Sequence, residues 1–380
     1  MQLTIKVKLT ILIIITCLAM SFNCESKAKT VKYSYKLQII DSTKKAPAVS
    51  FKPKGPAPAW APDIKPEMLA VIEKLASYHD KPLITLTPVE ARKNHTMADA
   101  VKDLLKDHHI SLPVYQIDTI GEDIGVTGGT IHLRIYTPKA GKGPFPIMLY
   151  FHAGGFVVSG IDAYDATPNI LAEQTHAIAI SVGFRLAPEY KFPTALMDGF
   201  AAYKWALANA SSINGDPQNI ALTGESAGGN ICVNLAIMAR DKNIQMPKHI
   251  LAIYPVAGTD TATDSYVKQA NAKPLSKAAM IWFLKYYINS KSDLNDPRLN
   301  LLIANFNGLP PTTIITDELD PVQSEDIALA NKMKAAGVTV DAENYDGVSH
   351  QFFGMGAVIP QAREAEAYAA KQLIKAFKEK

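Results

Sequence analysis

Residues 219–239 read NIALTGESAGGNICVNLAIMA. An apolar, strand-like start gives way to Gly224, Ser226 and Gly228, and then to a helix-like run of small and aliphatic residues. A serine at a strand-to-helix junction must turn sharply. Glycines two places before and two places after it leave room for that turn and push the hydroxyl to the edge of the sheet. The helix that follows points its positive end at the same spot, which suits a developing negative charge. Taken alone, the spacing arises by chance in about one chain in ten of this length. Whether Ser226 is a nucleophile or a turn residue is therefore decided by what surrounds it.

The surroundings alternate. GTIHLRIYTP (129–138) sets Ile131, Leu133 and Ile135 against His132, Arg134 and Tyr136, the period-two pattern of a half-exposed strand. PIMLYF (146–151) is a short continuous apolar run, suited to a strand buried on both faces. HAIAISVGF, NIALTG, HILAIYPV, PTTIITD and TVDAENYD read in the same way. Helical patterns lie between them near 167–175, 194–208, 227–239, 276–290 and 323–336, and a last one covers 360–378. Two amphipathic patterns precede them, at 66–78 and 88–106, with Pro66 and Pro88 at first-turn positions. Repeated strand-then-helix units predict an α/β fold with a mostly parallel central sheet and helices on both faces. Chemistry in such sheets gathers at the carboxyl ends of the strands.

Three stretches place reactive groups at that edge. An alkyl hydroxyl needs a base to take its proton. Of nine histidines, His350 in DGVSHQFFG directly follows the last predicted strand. Asp320 and Asp317, in IITDELDPV, follow the strand before it; either can orient the imidazole, and either can instead cap the next helix. In YFHAGGFVVSG, Gly154 and Gly155 follow a buried strand. Adjacent glycines let two N–H groups turn toward one point, and with Ala227 N–H they would form an oxyanion hole; the same glycines also serve a plain strand-exit turn. His152, inside that turn and ahead of the serine, reads as an anchor for the loop rather than the base.

Composition excludes several other functions. The chain has 380 residues, 48% apolar and 20% charged, with a formal charge of +3. No basic stripe points to nucleic acid. With Cys17, Cys24 and Cys232 as its cysteines, the chain offers no disulfide framework and no Cys/His zinc spacing. Cys232 falls in an apolar helical pattern and reads as a buried thiol. The first 23 residues have the three-part layout of an export signal. MQLTIKVK carries Lys6 and Lys8, LTILIIITCLAMSF is an apolar core too short to span a bilayer comfortably, and the chain then turns polar. The expected location is outside the cytoplasm, with Cys24 offering lipid attachment as the alternative to a free protein. Residues 24–63, polar and then proline-rich, read as a tether or as an arm across the domain formed by 64–380.

With these motifs assembled, the chain resembles the bacterial hormone-sensitive-lipase-like carboxylesterases, a group of the α/β-hydrolase fold. HAGGF resembles that family's H-G-G-G-[F/W], and GESAGGN its G-[D/E]-S-A-G-G-N. LPPTTIITDELDPV resembles its L-P-P…D-P-L, SHQFFG its H-x-F, and FRLAPEYKFPTALMDG its Y-R-L-A-P-E…F-P-A…D. The likeness runs from about residue 64 to the end. It implies a catalytic triad of Ser226, Asp320 and His350, with Asp320 preferred over Asp317. It also implies an oxyanion hole from Gly154, Gly155 and Ala227, supported by His152, Gly224 and Gly228. A helical cap would be built from 64–110 and about 258–295, with Trp282, Phe283, Tyr286 and Tyr287 either lining it or packed on the core. The expected activity is hydrolysis of short to medium acyl esters of small molecules, with no cofactor or metal needed. Removal of an acetyl or amide group from a larger metabolite or glycan is the alternative, and non-catalytic ligand binding a more distant one. Three departures bear on loop packing and substrate fit: Ala153 for the first glycine after the histidine, Gly183 and Phe184 for an acid and a tyrosine, and Ser324 for an acid.

Overall fold

The computed structural model describes residues 50–379. The export signal expected at 1–23 and the first part of the expected tether, 24–49, lie outside the described residues. Within them the chain opens with α1 (Pro66–Ala76), α2 (Pro88–Ala91) and α3 (Met97–Asp107). The body follows as β1 (Ile117–Val126), β2 (Gly129–Pro138), β3 (Phe145–Phe151), α4 (Ala166–Thr175), β4 (Ile178–Gly183), α5 (Thr194–Asn209), β5 (Gly215–Glu225), α6 (Ala227–Asp241) and β6 (His249–Ile253). It ends as α7 (Asp264–Lys268), α8 (Lys277–Tyr287), β7 (Thr312–Leu319), α9 (Gln323–Ala335), β8 (Val340–Ser349) and α10 (Pro360–Lys378).

The eight strands form one sheet in the order β1-β2-β4-β3-β5-β6-β7-β8. Pairs from β4 to β8 are parallel, and β1-β2 and β2-β4 are antiparallel. β5 is buried at every position from Ile220 to Glu225, as a central strand covered on both faces must be. Helix α4 packs on α10 and α5 on α6, which supplies the two covering layers. The sheet is therefore mostly parallel with helices on both faces, as the strand-helix alternation predicts.

Two elements differ from the sequence reading. The single helix expected over 88–106 is broken, because Thr96 caps a new helix with a box in which its side chain and that of Asp99 each accept a backbone N–H of the other residue. The strand β1 was not anticipated. It is an exposed edge with two glycines and three acids, so it carries little of the apolar alternation that marks a strand.

Residues 50–63 run against the domain, with Phe51 and Ala61 buried. Glu73 accepts Gly55 N–H at 2.8 Å and also Lys54 N–H. At the end of this run Lys65 N–H donates to Gly347 O, at 2.8 Å, in the last strand. Arg92 ties the N-terminal helices to the body. Its guanidinium donates to Val157 O at 2.9 Å and Ala187 O at 2.6 Å, and it pairs with Glu189 at 2.7 Å. On the other side, Trp282 Nε1 of α8 donates to Leu86 O at 3.1 Å. The four aromatic residues of α8 thus divide their tasks: Trp282 joins the N-terminal segment, Tyr287 stacks on buried Phe156 at 4.0 Å, Tyr286 packs on Trp282, and Phe283 faces the cavity described next.

Candidate active site

Strand β5 ends at Glu225, β7 at Leu319 and β8 at Ser349. The next residue in each case is Ser226, Asp320 and His350. Three neighbouring or near-neighbouring strands thus deliver a hydroxyl, a carboxylate and an imidazole to one edge of the sheet. β3 ends at Phe151 and hands over to His152 and the glycines behind it.

The serine turn is held from several sides. Ser226 has φ 55° and ψ −115°, a region where a side chain costs on the order of 1–3 kcal/mol. Its N–H donates to Ile253 O at 2.8 Å, and its carbonyl accepts from Val256 N–H and Asn230 N–H, both at 3.1 Å. Asn230 also donates from its side chain to Val256 O at 2.9 Å, which fixes the loop after β6 against the turn. A Cβ on Gly228 would overlap the Phe151 carbonyl, and one on Gly224 would overlap Gly228 itself. The turn is pressed so tightly between β3 and β5 that neither position admits a side chain.

His350 is buried, and its Nδ1 lies 2.5 Å from Asp320 Oδ2. The other Asp320 oxygen accepts Val322 N–H at 3.0 Å. With Nδ1 carrying the proton toward Asp320, Nε2 is the imidazole nitrogen left to accept one. Asp317 is also buried and lies in the same group as Asp320 and His350, their nearest oxygen and nitrogen atoms all within 4.8 Å of one another. It has no hydrogen-bond partner among the described residues. Burial first, and the Asp320 charge second, push its pKa well above the usual carboxylate range, so its place favours the neutral acid.

Ser226, His350, Gly154 and Gly155 line one small cavity, closed by Leu275, Met280 and Phe283. Ser226 Oγ makes no hydrogen bond to the protein among the described residues; contacts of this kind commonly tighten only when substrate closes a site. Gly154 and Gly155 have φ of 116° and 58°, and Gly154 O accepts from Val157 N–H and Val158 N–H at 3.0 Å each. No acceptor within the described residues pairs with the N–H of Gly154, Gly155 or Ala227. His152 is buried, stacks on Phe184 at 4.3 Å, and has Nδ1 2.6 Å from Ala153 O. Burial pulls its pKa down to about 4, which leaves it neutral and suits an anchor. Phe184 is thus the stacking partner of His152, and Ser324 exchanges hydrogen bonds of 3.0 and 3.1 Å with Ser265 across α9 and α7.

One site feature escaped the sequence reading. Glu225, directly before the serine, is fully buried and accepts from Tyr150 OH at 2.5 Å, Thr167 Oγ1 at 2.7 Å and Tyr254 OH at 2.5 Å. Tyr254 in turn packs its ring on His350, with centroids 4.6 Å apart. The available signal was an acid inside an apolar strand, which demands partners.

A second buried acid gives the fold a pH signature. Glu325, on α9, accepts Ala257 N–H at 2.9 Å. Burial raises its pKa from 4.5 to about 8. The unfolded chain releases this proton near its ordinary value while the folded chain keeps it, so stability falls as pH rises across that window and levels off above about 8. At about 1.4 kcal/mol per tenfold change in proton affinity, the contribution is on the order of 5 kcal/mol. Glu325→Gln is expected to flatten the decline of Tm between pH 5 and 8, read by thermal melts in a buffer series. An unchanged slope would assign the decline to other groups.

The comparisons with known proteins bear on the fold and the family. Residues 148–354 match the family model described as alpha/beta hydrolase fold. The carboxylesterase NlhH of Mycobacterium tuberculosis is 34% identical over 260 residues, 67% of this chain and 81% of that one. The ethyl acetate hydrolase of Pseudomonas putida is 31% identical over 241 residues, covering 62% and 76% of the two chains. Among solved structures, a hyperthermophilic esterase from the archaeon Pyrobaculum calidifontis superposes with TM-score 0.70 at 32% identity, covering 77% of this chain and 94% of that one. A thermostable esterase from Pseudomonas putida reaches TM-score 0.77 at 26% identity, over 84% and 99%. The protein is an α/β-hydrolase. Within that class it belongs to the hormone-sensitive-lipase-like carboxylesterases.

Proposed function

We propose that this carboxylesterase cleaves short to medium acyl esters of small molecules through Ser226, His350 and Asp320, and that it works outside the cytoplasm. Ser226 Oγ attacks the ester carbonyl as His350 Nε2 takes its proton. Asp320 keeps the imidazole in the required tautomer and favours its charged form. The free N–H groups of Gly154, Gly155 and Ala227 hold the oxyanion. His350 then gives its proton to the leaving alcohol, and water repeats the sequence on the acyl-enzyme to release the acid. His152 keeps the glycine loop in shape, and no step calls for a cofactor or metal.

The observation that carries this reading is the 2.5 Å contact of His350 Nδ1 with Asp320, together with the cavity His350 shares with Ser226 and the two glycines. The export reading rests on Lys6, Lys8 and the apolar run at 9–22. The helices of 64–110 and the segment of about 258–295 serve as the cap, for which Trp282 bonded to Leu86 is the supporting contact.

The direct test is a fluorophosphonate probe on the purified protein. Peptide mapping is expected to find the label on Ser226, with parallel loss of p-nitrophenyl acetate and butyrate hydrolysis. A protein that hydrolyses these esters but takes the label elsewhere would have another nucleophile. One that neither reacts nor hydrolyses would be a binding protein.

A further inference from the structure

The turn that carries the imidazole also holds a polar side chain without a task. Phe352 N–H donates to Ser349 O at 3.1 Å and closes the turn 349–352 around His350 and Gln351. Gln351 has φ 72°, whereas His350 is not among the left-handed residues. A turn of this pattern normally takes glycine at its third place, because a Cβ is crowded there. Glutamine also lacks the short polar side chain that lets asparagine or aspartate bond locally in that conformation. Backbone geometry therefore gives no reason for a glutamine at 351.

Local bonding gives none either. Gln351 is half-buried between buried His350 and buried Phe352. Groups around it are tied: Ser349 Oγ donates to Lys273 O at 2.7 Å, His350 Nδ1 meets Asp320, and Gly356 N–H donates to Glu366 at 3.0 Å. The Gln351 carboxamide has no hydrogen-bond partner among the described residues.

The place of Gln351 does supply a reason. It lines the small cavity of Ser226 and His350, whose other side chains are Val158, Leu275, Met280 and Phe283. Among the described residues it is thus the one polar side chain of that lining outside the nucleophile and the base. The cavity measures about 30 Å³, close to the share of one water molecule in the liquid, so its lining stands beside the bond to be broken. A carboxamide offers two N–H donors and an acceptor oxygen. In an otherwise apolar wall it discriminates: a substrate with a matching group gains the bond, and one without it leaves the amide unmet.

We propose that Gln351 is a specificity-determining residue whose carboxamide hydrogen-bonds a hydroxyl or carbonyl that the substrate carries a few bonds from the reacting ester. The enzyme then favours such oxygenated esters over hydrocarbon esters of the same shape. This inference rests on the esterase reading above.

The test uses two pairs of esters, each exchanging one hydroxyl for a methyl. In the alcohol half the pair is 2-hydroxyethyl butyrate and propyl butyrate. In the acyl half it is propyl 3-hydroxybutyrate and propyl 3-methylbutyrate. The hydroxyl-to-methyl ratio of kcat/KM is measured in the parent, in Gln351→Met, which keeps the length without the amide, and in Gln351→Gly. Intrinsic reactivity cancels when the same ratio is compared between proteins. In at least one pair both variants are expected to lower the ratio about fivefold, the worth of one neutral hydrogen bond. A fall in the alcohol pair places the bonded group on the leaving half, and a fall in the acyl pair places it on the acid. Glycine fits φ 72°, so Gln351→Gly is expected to hold Tm within about 1 °C of the parent. A fall of less than about twofold in both pairs, in either folded variant, would overturn the proposal. If Ser226 takes the probe and all four esters are cleaved with the ratios untouched, the role of Gln351 fails and the esterase reading stands. If no ester is cleaved, both fall.

Discussion

Ser226→Ala is expected to cut kcat on p-nitrophenyl butyrate on the order of 10⁶-fold, the loss seen when the nucleophile of such a triad is removed. The fold should not change with it. The hydroxyl has no hydrogen bond to lose among the described residues, and the strained backbone is held by Ile253, Val256 and Asn230 through main-chain bonds that alanine keeps. Removing an unpaired polar group costs little stability, so Tm should move by less than about 1 °C, below the shift of about 1.4 °C that a lost kcal/mol gives a folded body of this size at about 2.1 cal/mol/K of unfolding entropy per residue. Rate and Tm measured on one preparation separate the two effects. Activity within tenfold of the parent would place the nucleophile elsewhere, and a collapse of Tm would make the rate uninformative and call for Ser226→Gly.

Asp320→Asn should lower kcat about 10⁴-fold, because an amide facing Nδ1 favours the wrong imidazole tautomer. Asp317→Asn should cost less than about tenfold. Both acids are buried at the same strand end, but Asp320 touches His350 and Asp317 has no hydrogen-bond partner among the described residues. A neutral amide is also a close replacement for a carboxyl already driven toward its neutral form by burial and by the Asp320 charge. Above the pH at which Asp317 would ionise, the Asn variant should be the more stable of it and the parent, since it never places a second negative charge beside Asp320. Equal losses for the two variants, or a larger one for Asp317→Asn, would exchange their roles.

Much of the fold was readable from the sequence because buried strands announce themselves. β3 and β6 are short, mainly apolar runs, and β4, β5 and β7 bury a small apolar centre between glycines, serines and threonines. What was missed obeys weaker rules. β1 faces solvent along most of its length and is a strand because Gly128, at φ 79°, turns the chain back onto β2. The break between α2 and α3 was written in Thr96 and Asp99, three residues apart, but an unbroken amphipathic period drew attention past it. At the site, residue types and chain order picked out Ser226, His350 and the pair Asp317/Asp320. Which acid touches the imidazole depends on the path of the chain after β7, a matter of ångströms that no spacing encodes. Glu225 was hidden for a different reason: its three hydroxyl partners come from Tyr150, Thr167 and Tyr254, on three separate elements.

The bond from Lys65 to Gly347 joins the beginning of the described chain to its last strand. Contacts between such distant positions slow folding, because the loop between them must close first. The early arm has partners nearby, with Phe51 against the His108 ring and Glu73 holding Lys54 and Gly55, but its tie to β8 waits until the ribosome has delivered that strand. The finished site likewise waits for late synthesis, because His350 follows β8 in the chain.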